Sequence, residues 1–141
     1  MININSLNNE IFDTLKRVIE SESNNHNAIV RKRVIEKQYP LIIFECRSNT
    51  QSSASRDFYG IERTRALSFE IDIYAVDDRK NNISAEMICD DLENLVTQVM
   101  QGIYRMQGGT DAKLHNINSE NATQYILHFN CEWYMNKKII Y

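Results

Sequence analysis

The sequence predicts an α+β fold, a two-layer sandwich in which two helices pack on one face of a mostly antiparallel sheet of four to five strands. The clearest observation is the unbroken alternation of apolar and polar residues over residues 65–75, which is typical of a strand with one face on a core. Two further stretches, residues 7–19 and 88–103, carry apolar residues at helical spacing. Because two helical stripes match one sheet face, the opposite face needs a separate explanation.

Residues 65–75 are expected to form the central strand of the sheet. The odd-numbered residues from 67 to 75 are all apolar and are expected to face the core. The even-numbered residues from 66 to 74 include small, acidic and aromatic side chains, which is not the composition of a plain solvent face. This second face is expected to carry Ala66, Ser68, Glu70, Asp72 and Tyr74.

Length and composition favour a single globular domain over residues 1–141, with 43% hydrophobic and 25% charged residues. The net charge of -3 argues against a protein that binds nucleic-acid phosphates broadly. No apolar run approaches the roughly 20 residues that cross a bilayer, and the N-terminus lacks a signal-peptide pattern, so we expect a cytoplasmic start and no membrane partner. Cys46, Cys89 and Cys131 are too dispersed for a zinc site or a disulfide framework and are expected to be small buried hydrophobic residues.

The first helix is expected to begin at Asn5 or Ser6 and to end near Glu22. Apolar positions recur along it every three to four residues, which indicates one buried face. These positions are Leu7, Ile11, Leu15, Val18 and Ile19.

Residues 27–37 bring basic side chains together, Arg31, Lys32, Arg33 and Lys37 among them. One interpretation is a patch that binds phosphate or an acidic partner. The other is an edge strand whose cations block the addition of a further strand. The negative charge of the whole chain favours the edge strand.

Residues 40–47 predict a second strand, with Pro40 at its first position, where a missing donor matters least. Residues 48–60 predict a long loop with almost no core-forming side chains before Phe58. Loops of this length are often functional or flexible. An arm that contacts a partner and a passive surface loop are equally consistent with the sequence.

In the second half of the chain, residues 76–82 predict a polar turn and Ser84 is expected to cap the second helix. The helical stripe extends to Ile103, and the Gly108-Gly109 pair is expected to mark a turn. A short strand is expected over residues 112–118, with Leu114 and Ile117 buried. The last strand is expected over residues 124–136, and the apolar end of the chain at residues 137–141 is expected to pair or to dock on a neighbour.

No catalytic or metal-binding constellation is evident, and we expect no enzyme, metal or cofactor. The three histidines, His26, His115 and His128, are scattered and lack metal-ligand spacing. The acidic pairs at residues 77–78 and 90–91 favour solvated charge over a cation site. Glu70 and Asp72 share a strand face, but without a nucleophile, histidine or metal in the pattern they favour interface or lumen-facing charge.

The order of elements resembles the tail terminator, or tail completion, proteins of long-tailed bacteriophages. The resemblance covers most of the chain and is carried by the N-terminal amphipathic helix, the segment Tyr39-Pro40-Leu41-Ile42-Ile43-Phe44-Glu45 leading into Ser48-Asn49-Thr50, and Leu67-Ser68-Phe69-Glu70-Ile71-Asp72-Ile73-Tyr74-Ala75 with its polar turn. It continues through the helix with Ser84-Ala85 near its start and ends with Gln124-Tyr125-Ile126-Leu127-His128-Phe129 running to Ile139-Ile140-Tyr141. The basic segment at residues 31–33 and the serine-rich loop depart from the family pattern.

The resemblance implies a structural virion protein, an α+β sandwich that forms a hexameric ring at the head-proximal end of the tail tube. Such a ring stops tube polymerisation and joins the tail to the head-side connector, and DNA passes through its lumen without specific binding. The implied location is the neck region of the virion tail, after assembly in the host cytoplasm. The implied partners are further copies of the chain, the tail tube protein and the connector or stopper protein.

Two alternatives remain open: a head–tail connector or stopper ring, and a small binding module that uses the basic segment at residues 31–37. A ring needs two different patches of each subunit that meet. The candidate interface residues are Arg31, Lys32, Arg33, Arg56, Phe58, Tyr59, Glu70, Asp72, Tyr74, Ile139, Ile140 and Tyr141.

Overall fold

The computed structural model describes residues 4–34, 38–51, 64–117 and 121–134. The predicted α+β class is confirmed: two helices and a five-stranded mixed sheet form the described part of the chain. The helices are α1 (Ile4–Ser21) and α2 (Ala85–Thr97), and a π-helical turn (Gln98–Ile103) continues α2. The strands are β1 (Ile29–Arg31), β2 (Leu41–Gln51), β3 (Thr64–Ala75), β4 (Gln107–Ile117) and β5 (Ala122–Tyr134).

The sheet has the strand order β1-β2-β3-β5-β4, so the segment predicted to be central, β3, is the middle strand. β1 runs parallel to β2, and the other three pairings are antiparallel. β3 pairs with β2 on one side and along its whole length with β5 on the other. The middle strand is therefore paired on both sides from Arg65 to Tyr74.

The core lies between one sheet face and the two helices, as the alternation of β3 predicts. All five odd-numbered residues from 67 to 75 are at most 1% exposed. From α1, Leu7, Ile11, Leu15 and Ile19 are fully buried in the same cluster. Truncating a fully buried aromatic side chain such as Phe69 to alanine would cost about 3–5 kcal/mol, because a cavity adds to the lost transfer free energy.

The second helix begins as predicted, since the Ser84 side chain accepts a hydrogen bond from the backbone N–H of Met87 at 3.1 Å. Its end differs from the prediction. The turn from Gln98 to Ile103 is π-helical, and wider turns shift the phase of the apolar stripe. Val99 and Met100 stay buried, but Ile103 is 54% exposed, so its assignment to the stripe was wrong.

Gly108 and Gly109 do not form a turn but lie at the start of β4. Gly108 has a φ of 133°, and a Cβ there would lie 2.0 Å from the backbone oxygen of His128. The glycine thus allows β4 to approach β5 more closely than any side chain would permit. Gly109, by contrast, has open space at its Cβ position.

A β-bulge explains why Leu114 was wrongly predicted to be buried. The Thr110 hydroxyl donates a hydrogen bond to Glu93 of α2, so Thr110 lies on the helix-facing side of the sheet. Leu114 is four residues further on, and uninterrupted alternation would place it on the same side. The register shifts between Thr110 and Ala112, which reverses the alternation. Leu114 therefore lies opposite Gln124 on the other sheet face and is 42% exposed.

The predicted loop at residues 48–60 also begins later than expected, because β2 continues through Gln51 after a register shift between Cys46 and Ser48. Residues 52–60 lie outside the described residues, as do residues 135–141 of the predicted last strand and tail.

We predict that Gly108→Ala lowers the free energy of unfolding by about 1–3 kcal/mol or more. The backbone here has a positive φ that alanine rarely adopts, and the new Cβ would meet the β5 backbone. Chemical denaturation with a two-state fit measures this change. Gly109→Ala is the matched control and should change stability by less than about 1 kcal/mol. Equal losses in the two variants would contradict the close approach of β4 to β5.

Candidate interaction face

The sheet face that looks away from α1 and α2 is the candidate functional surface, and we call it the open face. Within the described residues, both helices bury the opposite face. The strand register places the side chains of the open face in neighbouring rows across four strands. The open face consists of Ile43, Glu45 and Arg47 of β2, Ala66, Ser68, Glu70, Asp72 and Tyr74 of β3, Gln124, Ile126 and His128 of β5, and Asp111 and Leu114 of β4.

A row of alternating charges crosses the open face. Glu45 and Glu70 are directly opposite one another on β2 and β3, an arrangement that repels by itself. Arg47 lies between them, 2.9 Å from Glu70 and 3.7 Å from Glu45. On the other side, His128 Nε2 lies 3.0 Å from Glu70, and His128 Nδ1 contacts Asp111. The row therefore joins all four strands through Glu70.

Glu70 is the ionised centre of this row. Burial would raise the pKa of Glu70, but hydrogen bonds with Arg47, His128 and Asp72 outweigh it and lower the pKa to about 2. The hydrogen bonds to Asp111 and Glu70 raise the pKa of His128 in turn. Because both ring nitrogens of His128 have carboxylate partners, the geometry suits the doubly protonated ring, which donates on both sides.

Asp72 lies two residues further along β3 in a much less polar position. Its strand neighbours on either side are Ile43 and Ile126. Its Oδ2 accepts weak hydrogen bonds from the Tyr74 hydroxyl at 3.4 Å and from Gln124 Nε2 at 3.3 Å. Among the described residues its Oδ1 is buried without a conventional donor.

Burial raises the pKa of Asp72 to about 7, together with the hydrogen bond to Glu70 and the negative charge of Glu70. The hydrogen bonds from Tyr74 and Gln124 oppose this shift but do not cancel it. The two neighbouring carboxyls are therefore pushed apart in pKa. Glu70 has the cationic partners and the lowered pKa, whereas the donors to Asp72 within the described residues are neutral and its pKa is raised.

Apolar side chains complete the open face. Ile43 and Ile126 are half-buried on either side of Asp72, and Leu114 is exposed at the β4 edge. Met87 and Ile103 are more exposed than Leu114 but belong to the helical layer. The open face thus combines aliphatic groups with ordered polar groups.

Three of the predicted interface residues, Glu70, Asp72 and Tyr74, are brought together on the open face. The basic segment lies apart, at the β1 edge. There Arg31 lies 3.5 Å from Glu20, Lys32 bonds Asn9 and lies 5.0 Å from the Phe12 ring, and Arg33 is exposed. The remaining candidates lie outside the described residues: Arg56, Phe58, Tyr59, Ile139, Ile140 and Tyr141.

The other acidic pairs and histidines have partners within the fold. Asp77 accepts a hydrogen bond from the N–H of Ala85 at the start of α2, and Asp90 accepts one from the Tyr125 hydroxyl at 2.6 Å. His26 Nε2 lies 2.7 Å from Asp91. No group of three potential metal ligands occurs within the described ranges, and no helix in them is long and apolar enough to span a membrane.

Sequence reasoning missed Arg47, Asp111, Leu114, Gln124 and His128 as parts of this face. Alternation along residues 124–136 puts Ile126 and His128 on the same side of the strand, but it does not identify their neighbours on other strands. Register alone puts His128 opposite Glu70 and Ile126 opposite Asp72.

No protein-family model matches this chain, and no curated protein matches it significantly.

We predict that Asp72→Asn removes a pH-dependent loss of stability. The pKa of Asp72 rises from 3.8 to about 7 in the folded protein, so between pH 4 and 7 the folded state holds more protons than the unfolded state. The contribution of this proton to stability is complete below pH 4 and is lost as the pH rises through 7. Thermal unfolding of both proteins from pH 5.5 to 8, which lies above the pKa of Glu70 in both the folded and the unfolded chain, should show the variant gaining stability relative to wild type as the pH rises.

Asp13→Asn, an exposed carboxyl on α1, is the control and should leave the difference from wild type constant over the same range. A difference between Asp72→Asn and wild type that does not change with pH would contradict the assignment.

Proposed function

We propose that this protein is a structural component of a bacteriophage tail, a tail terminator whose copies form a ring that caps the tail tube at its head-proximal end. The observation that carries the proposal is the open face. In the described structure one sheet face is sealed by two helices, whereas the other combines ordered polar groups with Ile43, Ile126 and Leu114. The resemblance implies an α+β sandwich, and this is the fold class observed.

Packing of the open face on a neighbouring subunit is favoured over pairing of strand edges as the mode of assembly. One edge strand, β1, has three residues and is followed by Lys32 and Arg33. The other edge strand, β4, carries two register shifts and the cation Lys113. Short strands, bulges and lysines are the devices that prevent a sheet from extending into a second copy. A ring formed by this chain would therefore bury the open face of one subunit against a different patch of the next.

The charge of the open face fits a structural role rather than a grip on DNA. Glu45, Glu70 and Asp111 outnumber Arg47, and carboxylates repel phosphates. Within the basic alternative at residues 31–37, Arg31 and Lys32 have partners inside the subunit, and Lys37 lies outside the described residues.

We predict that the purified chain assembles and that Leu114→Glu weakens assembly by at least about tenfold in dissociation constant, because it places a charge among apolar groups of the proposed interface. Leu114 is exposed in the subunit, so the substitution should not disturb folding. Mass photometry over a concentration series, with circular dichroism as a check on folding, measures the effect. Met87→Glu is the matched control, since Met87 is 54% exposed in the helical layer.

A chain that stays monomeric at high micromolar concentration and forms no ring on tail tubes would count against the proposal. If Leu114→Glu and Met87→Glu had equal effects, the chain would still assemble, but the open face would not be the interface. Electron cryo-microscopy of particles separates a terminator from a connector or stopper ring, because only a terminator lies directly on the last ring of the tube.

A further inference from the structure

The centre of the open face contains two carboxyl groups with unequal surroundings. Glu70 and Asp72 are separated by one residue on β3, so their side chains point to the same side of the sheet. Glu70 has two charged or chargeable donors, Arg47 at 2.9 Å and His128 at 3.0 Å. The donors to Asp72 among the described residues are the neutral groups of Tyr74 and Gln124.

This asymmetry identifies where a proton is held. The buried Oδ1 of Asp72 has no conventional donor among the described residues, which would be costly for an ionised carboxylate. A protonated Asp72 needs an acceptor instead, and the Glu70 carboxylate, two residues away on the same face of β3, is an acceptor of the right kind. A carboxylic acid that donates to its neighbouring carboxylate satisfies both groups with one negative charge.

We propose that Asp72 and Glu70 form a pH-sensitive switch for assembly: the proton that they hold together keeps the centre of the open face at one negative charge, and loss of that proton releases the subunit packed there. The inference rests on the proposed function, since it assigns the open face to contact between copies.

Release follows from the surroundings of the pair. When the proton leaves as solvent hydronium, Asp72 becomes an anion between Ile43 and Ile126, next to the Glu70 anion. A second copy over this face would remove water from both charges, so their repulsion would grow at the moment of contact. Ionisation of Asp72 costs less free energy in the free subunit, because water still partly hydrates its open face.

The groups that face the pair set the range of the switch. On β3 itself Tyr74 lies beside Asp72, on β2 Arg47 and Glu45 lie beside Glu70, and on β5 His128 does so. Arg47 stays cationic throughout. His128 loses its own charge as the pH rises, which withdraws a partner from Glu70 in the same direction as Asp72 ionisation.

The test uses the full chain with ¹³C-labelled aspartate side chains, titrated by NMR, in parallel with mass photometry from pH 5.5 to 8.5. We expect one aspartate carboxyl to titrate near neutral pH in wild type and to be absent in Asp72→Asn. We also expect the dissociation constant of the wild-type oligomer to rise by tenfold or more above neutral pH, whereas Asp72→Asn stays assembled. Asp13→Asn should behave as wild type in both measurements.

Distinct failures have distinct meanings. A ring with every aspartate titrating in the acidic range overturns the switch and leaves the proposed function intact. A near-neutral titration of Asp72 with a pH-independent ring overturns the release step alone. A monomer at every pH overturns the proposed function and the release step together. Dissociation that persists in Asp72→Asn would assign the pH dependence to His128 and overturn the role of the pair.

Discussion

The register between β3 and β5 is the constraint on which both faces of the sheet depend. On the core side it places Phe69 opposite Phe129 and Ile71 opposite Leu127. On the open side the same ladder places Glu70 opposite His128. A slip by one residue would exchange the faces, burying the carboxylates under the helices and exposing the aromatic core. The hydrophobic core therefore fixes the geometry of the charged row without contacting it.

The fold was predictable wherever one periodicity persists over a whole element. The buried side of β3 follows from uninterrupted alternation, and the buried side of α1 from apolar spacing that has no competing signal. The Ser84 cap was predictable because a hydroxyl before an acidic first turn satisfies orphan N–H groups in a local way. These features depend on neighbours in sequence, so a single chain contains the information.

The errors arose where the period changes within an element. The π-helical turn after Thr97 exposes Ile103, and the bulge after Thr110 moves Leu114 to the opposite face. Neither change has a residue signature as strong as a proline, because each is stabilised by contacts made elsewhere in the fold. Gly108 is the nearest to a local signal, but its purpose, a close approach to the His128 carbonyl, is visible only after β5 is in place.

The candidate site was predictable in part for the same reason. Glu70, Asp72 and Tyr74 lie on one strand, and alternation is enough to group them. Their different chemistry is set across strands, since Arg47 and His128 partner Glu70 whereas Ile43 and Ile126 flank Asp72. Two carboxyls that look equivalent in sequence thus acquire opposite tendencies, one to hold charge and one to hold a proton. Side chains held by these contacts are ordered before any partner binds. This lowers the entropic cost of ordering them when an interface forms.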